Sequence, residues 1–401
     1  MEREGLMPSL AYFEPVKGLI VYGRELLPHL ARYYDVDVFT DEVDALSEVV
    51  GWDMPTYRYQ DFEQRRRGYA HRVFQLRNNR DHVPVYDRLV RYGGVIVLHD
   101  VNISGIIGAK TLMVGRKLAF LRELWRNEGW GPFVHSSLDV VLRRRWPGET
   151  DYMMNRVACR RSQGIIVHNE QAHAAVQGVV DGAPTTVVRR GVPPVTGQVD
   201  PVAARGRLML PAQAFTVVSL GYVTPRKRIP QALAAFAQLV DQVPDAQYVL
   251  AGKVLPGFDV EGLIRHLGLT DRVRVTGWVD EVEFYDYLAA ADVCVNLRYP
   301  VEGETSSVAL RMMSYGKPTL VSNAGSMAEL PYGTCLKIRP DAGEVEAIHA
   351  ALARLARDEQ RRERLGQQAQ QYVRRHRTWE GAAAGYHRFL ERVARQRGST
   401  N

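Results

Sequence analysis

The chain alternates short apolar runs with longer stretches whose apolar residues recur at helical spacing, most clearly in its second half. FTVVSLGYV (215–223) is apolar almost throughout and is broken by Gly221, as expected of a strand buried on both faces. IPQALAAFAQLVDQV (229–243) then spaces its apolar residues as one face of a helix. The pairing repeats as AQYVLAG with VEGLIRHLG, VRVTGWV with EVEFYDYLAAA, and DVCVNLRY with SSVALRMMSYG, followed by strands PTLVSNA and TCLKIRP. Strands alternating with helices predict a parallel, doubly wound sheet. Ligands on such sheets bind beyond the C-terminal strand ends. The glycine-rich and charged punctuation falls there, at Gly221–Lys227, Gly277–Asp280 and Pro300–Ser307.

The first half repeats the pattern less regularly. It predicts a helix over 19–34, strands DVDVFTD, HRVFQL and GGVIVLHD, and a helix VPVYDRLVRY between the last two. Strand QGIIVHN, helix EQAHAAVQGVV and strand TTVVRRGV follow. The segment 192–206, rich in Pro, Gly and small residues, is the expected linker. The pattern predicts an N-terminal Rossmann-like domain over 1–195 and a second over 196–375. The tail 341–397 is expected to be helical throughout, with 376–401 crossing back to the N-terminal domain. Two such domains facing each other across a cleft would hold a ligand jointly.

With 401 residues, 46% hydrophobic and 24% charged, the composition is that of a globular protein with two cores. No apolar run is long enough to span a bilayer, and the start MEREGLMPSLAYF lacks the features of a signal peptide. Cys159, Cys294 and Cys335 are far apart without metal spacing, which suggests a reducing, cytoplasmic setting. The net charge of +7 suits anionic ligands or surfaces, although arginine excess also follows from genome composition. Residues 103–146 mix Arg and Lys with Leu, Phe and Trp at helical spacing. That pattern fits either a core-covering helix or peripheral contact with the inner face of a membrane. No RNA- or DNA-binding motif accompanies the charge, so no nucleic-acid partner is expected.

The most specific stretch is 298–331, RYPVEGETSSVALRMMSYGKPTLVSNAGSMAELP. It reads as a strand end, a polar loop, a helix opened by Thr305, Ser306 and Ser307, a Gly-Lys-Pro turn and a buried strand. Helix N-termini attract phosphate because their first N–H groups lack partners and the dipole is positive there. The adjacent Glu304 can hold sugar hydroxyls. Sugar plus phosphate is what a nucleotide-sugar donor offers, so the stretch points to glycosyl transfer.

On these residues the chain resembles the retaining glycosyltransferases of family 4 (glycosyltransferase group 1 type, GT-B fold). GYVTPRKRIPQALAAF looks like that family's phosphate loop and helix, and VRVTGWVDEVEFYDYLAAADVCVNL like its base-binding region. GETSSVALRMMSYGKPTLVSNAGSMAELP looks like its donor-binding helix and next strand. Gly18 with YGRELLPHLARYYDVDVFTD, then VFQLRNN and VIVLHD, resemble N-domain segments. The resemblance implies transfer of a hexose to a glycan or lipid-linked hydroxyl with retention of configuration. It assigns Lys227 and Arg228 to the donor diphosphate, with Gly18 and Gly221 giving the backbone close approach. It places His99 near the donor sugar and Asp100 beside it or the acceptor. Gly277 and Val279 would hold the base through backbone groups, and Asn78, Asn79 and His82 would line the acceptor side. No Asp-x-Asp motif stands where a metal would be needed, so neither an essential metal nor another cofactor is expected.

Two positions depart from the family pattern. Anchored on Gly316 and Pro318, the family's second glutamate falls at Arg311, and its first falls at Gly303, next to Glu304. A guanidinium cannot accept the hydrogen bonds of a ribose, so Arg311 implies contact with phosphate or a neighbouring carboxylate instead. Tyr222 stands where the phosphate loop usually has arginine. These departures keep two alternatives open: a related sugar-nucleotide epimerase, phosphorylase or synthase, and a sugar-nucleotide or glycan-binding protein without turnover.

Overall fold

The computed structural model describes residues 7–46, 52–142, 152–180, 182–195, 197 and 199–398. The chain divides into two compact units, one of Met1–Gly191, Glu302–Thr305 and Trp379–Asn401, the other of Val192–Val301 and Ser306–Thr378.

Unit 1 is built on seven strands: β1 (Ser9–Phe13), β2 (Asp35–Thr40), β3 (Thr56–Arg58), β4 (His71–Leu76), β5 (Gly94–Leu98), β6 (Ser162–Val167) and β7 (Thr185–Val187). They pair in parallel in the order β3-β2-β1-β4-β5-β6-β7. The period-two pleat sorts each strand between two cores. Ala11 and Phe13 of β1 and Ile96 and Leu98 of β5 enter one layer, while Leu10, Tyr12, Val95 and Val97 enter the other. The second layer is completed by the last helix, Trp379–Gly398, through Trp379, Tyr386, Phe389 and Leu390. Gly164 of β6 is what admits that helix, since a Cβ there would lie 2.8 Å from Val393 and 2.9 Å from Phe389.

Unit 2 has six parallel strands: β8 (Thr216–Leu220), β9 (Gln247–Ala251), β10 (Val273–Val275), β11 (Val293–Asn296), β12 (Thr319–Ser322) and β13 (Leu336–Ile338). Their order is β10-β9-β8-β11-β12-β13. Val217 and Val293 face one core and Val218 and Cys294 the other, so β8 and β11 need the continuous apolar sequence that marked them.

Several local expectations are corrected. Strand β1 lies in the SLAYF stretch, where only a signal peptide was considered, and β3 was not anticipated. The predicted helix 19–34 begins earlier, at Val16, passes through a π-helical turn Leu19–Gly23 and ends at Leu30. The linker is not wholly irregular: Pro201–Arg207 is a helix, because Asp200 accepts from the Ala203 N–H at 2.9 Å and Pro201 fits the first turn. The tail is helical as expected, in three helices, Glu344–Arg357, Glu359–His376 and Trp379–Gly398. Within 103–146, helices Ser104–Lys110, Lys117–Glu128 and Trp130–Leu142 form, and residues 143–146 lie outside the described residues. Among the described residues no helix is long and apolar enough to cross a membrane.

Candidate functional site

In unit 2 the chemistry gathers at the C-terminal ends of β8 and β11. Beyond Leu220 the chain turns at Gly221 (φ 85°), runs through a short 3-10 turn Pro225–Lys227 and enters helix Ile229–Val240. Gly252, beyond β9, packs so close that a Cβ there would lie 2.2 Å from the Gly221 carbonyl. Lys227 folds back over this turn and donates from Nζ to the Leu220 carbonyl at 3.0 Å. Burial, reinforced by the nearby Arg298 charge, lowers its pKa to about 7. The ammonium is thus held at low polarity beside a backbone turn, with its charge only partly compensated.

The other predicted donor residues have definite partners. Arg228, at φ 56°, is bound through its guanidinium to the buried Glu344 carboxylate, with Nε at 2.7 Å. That makes Arg228 an anchor between the turn and helix Glu344–Arg357. Arg226 donates to the Pro300 carbonyl at 3.0 Å. Ser306 caps helix Ser307–Ser314, accepting from the Ala309 N–H at 3.2 Å and donating to Asn296 at 2.8 Å. It thereby fixes the helix's first turn, with Ser307 opening it, to the end of β11. Arg311 donates to the Tyr285 hydroxyl at 2.7 Å. Gly277 adopts φ 76°, and Val279 turns toward the core, leaving Trp278 between them 74% exposed. The sequence reading used only the backbone here and passed over that indole.

In unit 1 the C-terminal strand ends hold a buried polar cluster. His99, after β5, is 8% exposed, and its ring meets Tyr22 edge-on at 4.6 Å. Its Nδ1 is 3.3 Å from Nε2 of His168, and its Nε2 is 2.8 Å from the Gln75 amide. His168 in turn reaches the Val188 carbonyl through Nδ1 at 2.8 Å. That carbonyl can only accept, so His168 carries a proton on Nδ1. The Gln75 side-chain oxygen facing His99 Nε2 can likewise only accept, so His99 carries its proton on Nε2. Burial, then the Arg77 and His168 charges, push the His99 pKa well below its usual value, in keeping with a neutral ring.

Asp100 accepts from the Asn78 N–H at 2.9 Å, and the Asn78 side chain accepts from Gly105 N–H at 2.6 Å. Asn79 caps the turn Arg80–His82 by accepting from the Asp81 N–H at 3.0 Å. His82 is buried against the Gln75 carbonyl at 2.9 Å, and desolvation takes its pKa down to about 4. Within Glu302–Thr305, the Glu304 carboxylate accepts from the Glu302 N–H at 2.6 Å. Asn169 donates to the Gly303 carbonyl at 2.7 Å and to the Thr305 hydroxyl at 3.2 Å. Of the predicted Glu304–Ser307 cluster, Glu304 and Thr305 group with unit 1, Ser306 and Ser307 with unit 2.

Sequence reasoning missed the residues that organise this cluster. Glu14 is fully buried, bonded by the Tyr12 hydroxyl at 2.8 Å and by Arg77 at 3.1 Å. Burial raises its pKa while the Arg77 charge and the Tyr12 hydrogen bond oppose that rise. Gly18 packs directly on it, where a Cβ would lie 2.4 Å from a carboxylate oxygen. Gly18 has φ −72°, so close approach to Glu14, and not backbone freedom, demands glycine there. Arg190, after β7, stacks over Tyr22 at 4.8 Å and Trp379 at 5.7 Å. The available signal was a charged residue directly after an apolar strand, as in SLAYFEP and TTVVRRG. Among the described residues no group of three His, Cys, Asp or Glu side chains has a metal-holding arrangement.

Residues 204–372 match the family of glycosyl transferases group 1. Among curated proteins, the chain is 33% identical over 166 residues to the lipopolysaccharide core biosynthesis glycosyltransferase LpsD of Rhizobium meliloti, covering 41% of this chain and 46% of that one. It is 29% identical over 262 residues to the MMP alpha-(1->4)-mannosyltransferase of Mycolicibacterium hassiacum, covering 63% and 60%. The chain thus spans about half the length of these curated relatives. Among solved structures, sucrose-phosphate synthase from Thermosynechococcus elongatus superposes with TM-score 0.67 at 20% identity, covering 98% of this chain and 100% of that one. Anabaena HepE, solved in complex with UDP-glucose, superposes with TM-score 0.67 at 17% identity, covering 98% and 99%. At such identities the structural likeness establishes fold alone. The chain therefore has the GT-B plan of two Rossmann-like parallel-sheet domains with a helical tail, and its residues 204–372 match the glycosyl transferases group 1 family.

Proposed function

We propose that this protein transfers a hexose from a nucleotide-sugar donor to a hydroxyl of a glycan or lipid-linked acceptor, with retention of anomeric configuration. The observation that carries the reading is Lys227, held at the end of β8 within the matched residues 204–372 with a pKa near 7. A diphosphate would supply the negative charge that this ammonium lacks. As the bond between C1 and the phosphate oxygen breaks, negative charge grows on the leaving nucleoside diphosphate, and Lys227 with the N–H groups opening helix Ser307–Ser314 stabilises it. The acceptor oxygen bonds to C1, and its proton passes to the departing phosphate. This charge balance needs neither a metal nor a protein nucleophile.

Arg228, tied to Glu344, acts in this reading by holding the phosphate turn. Neutral His99 shapes the sugar side through its place in the cluster of Gln75, His168 and Tyr22. Asn78, Asn79, Asp100 and Glu304 supply polar groups for sugar and acceptor hydroxyls. Arg311, bound to Tyr285 where the resemblance expects a ribose-binding carboxylate, favours a second reading of donor binding without turnover. Thermal stabilisation by UDP-, GDP-, ADP-, dTDP- and CMP-sugars tests the first step, because a ligand of the folded state raises its stability. One donor should stabilise the wild type and not Lys227→Ala. Absence of a shift from every donor refutes the transferase reading, and a shift without product from any acceptor selects the second reading.

A further inference from the structure

Helix Lys117–Glu128 of unit 1 buries Phe120, Leu121 and Leu124 and turns the opposite stripe outward. That stripe carries Leu118 and Trp125, seven residues apart, at 80% and 52% exposure, with Arg122 between them. The preceding turn adds Met113 and Val114, and the following helix adds Trp130, all more than half exposed. Large apolar side chains exposed within so short a segment exceed the single scattered residues normal on a soluble surface.

The same helix packs beside Arg156–Arg161, and the two enclose an open groove of about 400 Å³. Its lining is Trp125, Arg126, Arg156, Val157, Arg160 and Arg161, four arginines with one tryptophan and one valine. Arg126 is paired with Glu123 at 3.1 Å, and the lining itself holds four arginines and no acidic residue. Arg161 leads directly into Ser162, the first residue of β6, so the groove lies at the N-terminal edge of the sheet. His99, His168 and Glu14 lie at the opposite, C-terminal strand ends, so the groove is not part of the site described above. Guanidinium forks match phosphate oxygens, and aromatic rings with apolar neighbours suit the boundary between headgroups and acyl chains.

We infer that this face docks on an anionic lipid bilayer, with the arginine groove taking lipid phosphate and Met113, Val114, Leu118, Trp125 and Trp130 entering the headgroup boundary. Charge complementarity and exposed apolar side chains act together, and neither alone gives stable attachment.

The test is co-sedimentation of the full chain with phosphatidylcholine vesicles with and without phosphatidylglycerol. The wild type should sediment with the anionic vesicles only. Arg160→Gln with Arg161→Gln should weaken binding about 30-fold, and Leu118→Ser with Trp125→Ser at least about tenfold. Circular dichroism establishes that each variant folds. Wild type that stays in the supernatant overturns the inference. So does equal binding by the apolar double variant, which would mean only unspecific adsorption of a basic chain. Thermal stabilisation by inorganic phosphate, lost in the arginine variant and unaccompanied by vesicle binding, overturns it in favour of a soluble phosphate ligand.

Discussion

If Lys227 meets the donor diphosphate, donor binding must be coupled to proton uptake. The free ammonium has its pKa at about 7, against an ordinary 10.5, because the chain buries it next to Arg298. A bound diphosphate reverses that balance by placing negative charge beside Nζ, so the bound form keeps its proton over a wider pH range. Below about pH 6 Lys227 is charged in both states, and binding is insensitive to pH through this group. Above pH 7 each pH unit removes tenfold of the charged free form, so affinity falls about tenfold per unit, roughly 100-fold by pH 9. Full restoration of the ordinary value would correspond to about 4.8 kcal/mol of coupling. The side chain keeps partial exposure, and solvent screening places the true coupling below that ceiling. The assay is titration calorimetry with a UDP-sugar, whose esterified diphosphate does not itself titrate in this range, in buffers of different ionisation enthalpy. Nearly one proton should be taken up per donor bound at pH 8.5 and none at pH 6. In Lys227→Met the coupling should vanish along with most affinity. Stability of the unliganded protein moves the other way: between pH 7 and 10.5 the unfolded state holds more protons, so wild-type stability rises relative to Lys227→Met as pH increases. Affinity that is flat from pH 6 to 9, or uptake that persists in Lys227→Met, refutes the assignment.

Two further outcomes follow from the packing. Gly252→Ala places a methyl 2.2 Å from the Gly221 carbonyl, and neither backbone can yield without opening β8 from β9, so urea denaturation should show a loss of about 1–3 kcal/mol. A loss below experimental error would mean that the Gly221 turn is not braced by that contact. His82 is buried neutral with its pKa at about 4, below its usual 6.5, so the unfolded state binds the extra proton and stability falls as pH drops from 6.5 toward 4. The loss attributable to His82 is up to about 3 kcal/mol, and His82→Gln, measured by the same denaturation at several pH values, should lack it.

The sequence predicted what depends on one element at a time. Continuous apolar runs such as TVVSL and GVIVL are required only where both faces of a strand are covered, and β8 and β5 form there. Ser306 was readable as a cap because its partner, Ala309, is three residues away. SLAYF was missed because its five residues have no preceding pattern and its partners, β2 and β4, begin at Asp35 and His71. The buried cluster failed for the same reason. Glu14 meets Arg77 and Gly18, His99 meets His168 and Gln75, and Arg190 meets Trp379. No local rule pairs such distant positions.

Arg228 shows how this limits the reading of a site. In sequence, Arg226, Lys227 and Arg228 are three adjacent cations, of which the resemblance singles out Lys227 and Arg228. Folding separates them: Arg228 compensates the buried Glu344, Arg226 binds the Pro300 carbonyl, and Lys227 holds its charge against a backbone carbonyl. A carboxylate buried like Glu344 requires a partner, and loss of that partner costs about 3–5 kcal/mol. That requirement commits Arg228 to the scaffold before any ligand arrives. Lys227 is held by a backbone carbonyl instead, and burial beside Arg298 lowers its pKa, a shift that a bound diphosphate would oppose. The residues that shape the turn and the residue that would meet the ligand therefore differ by what each already neutralises.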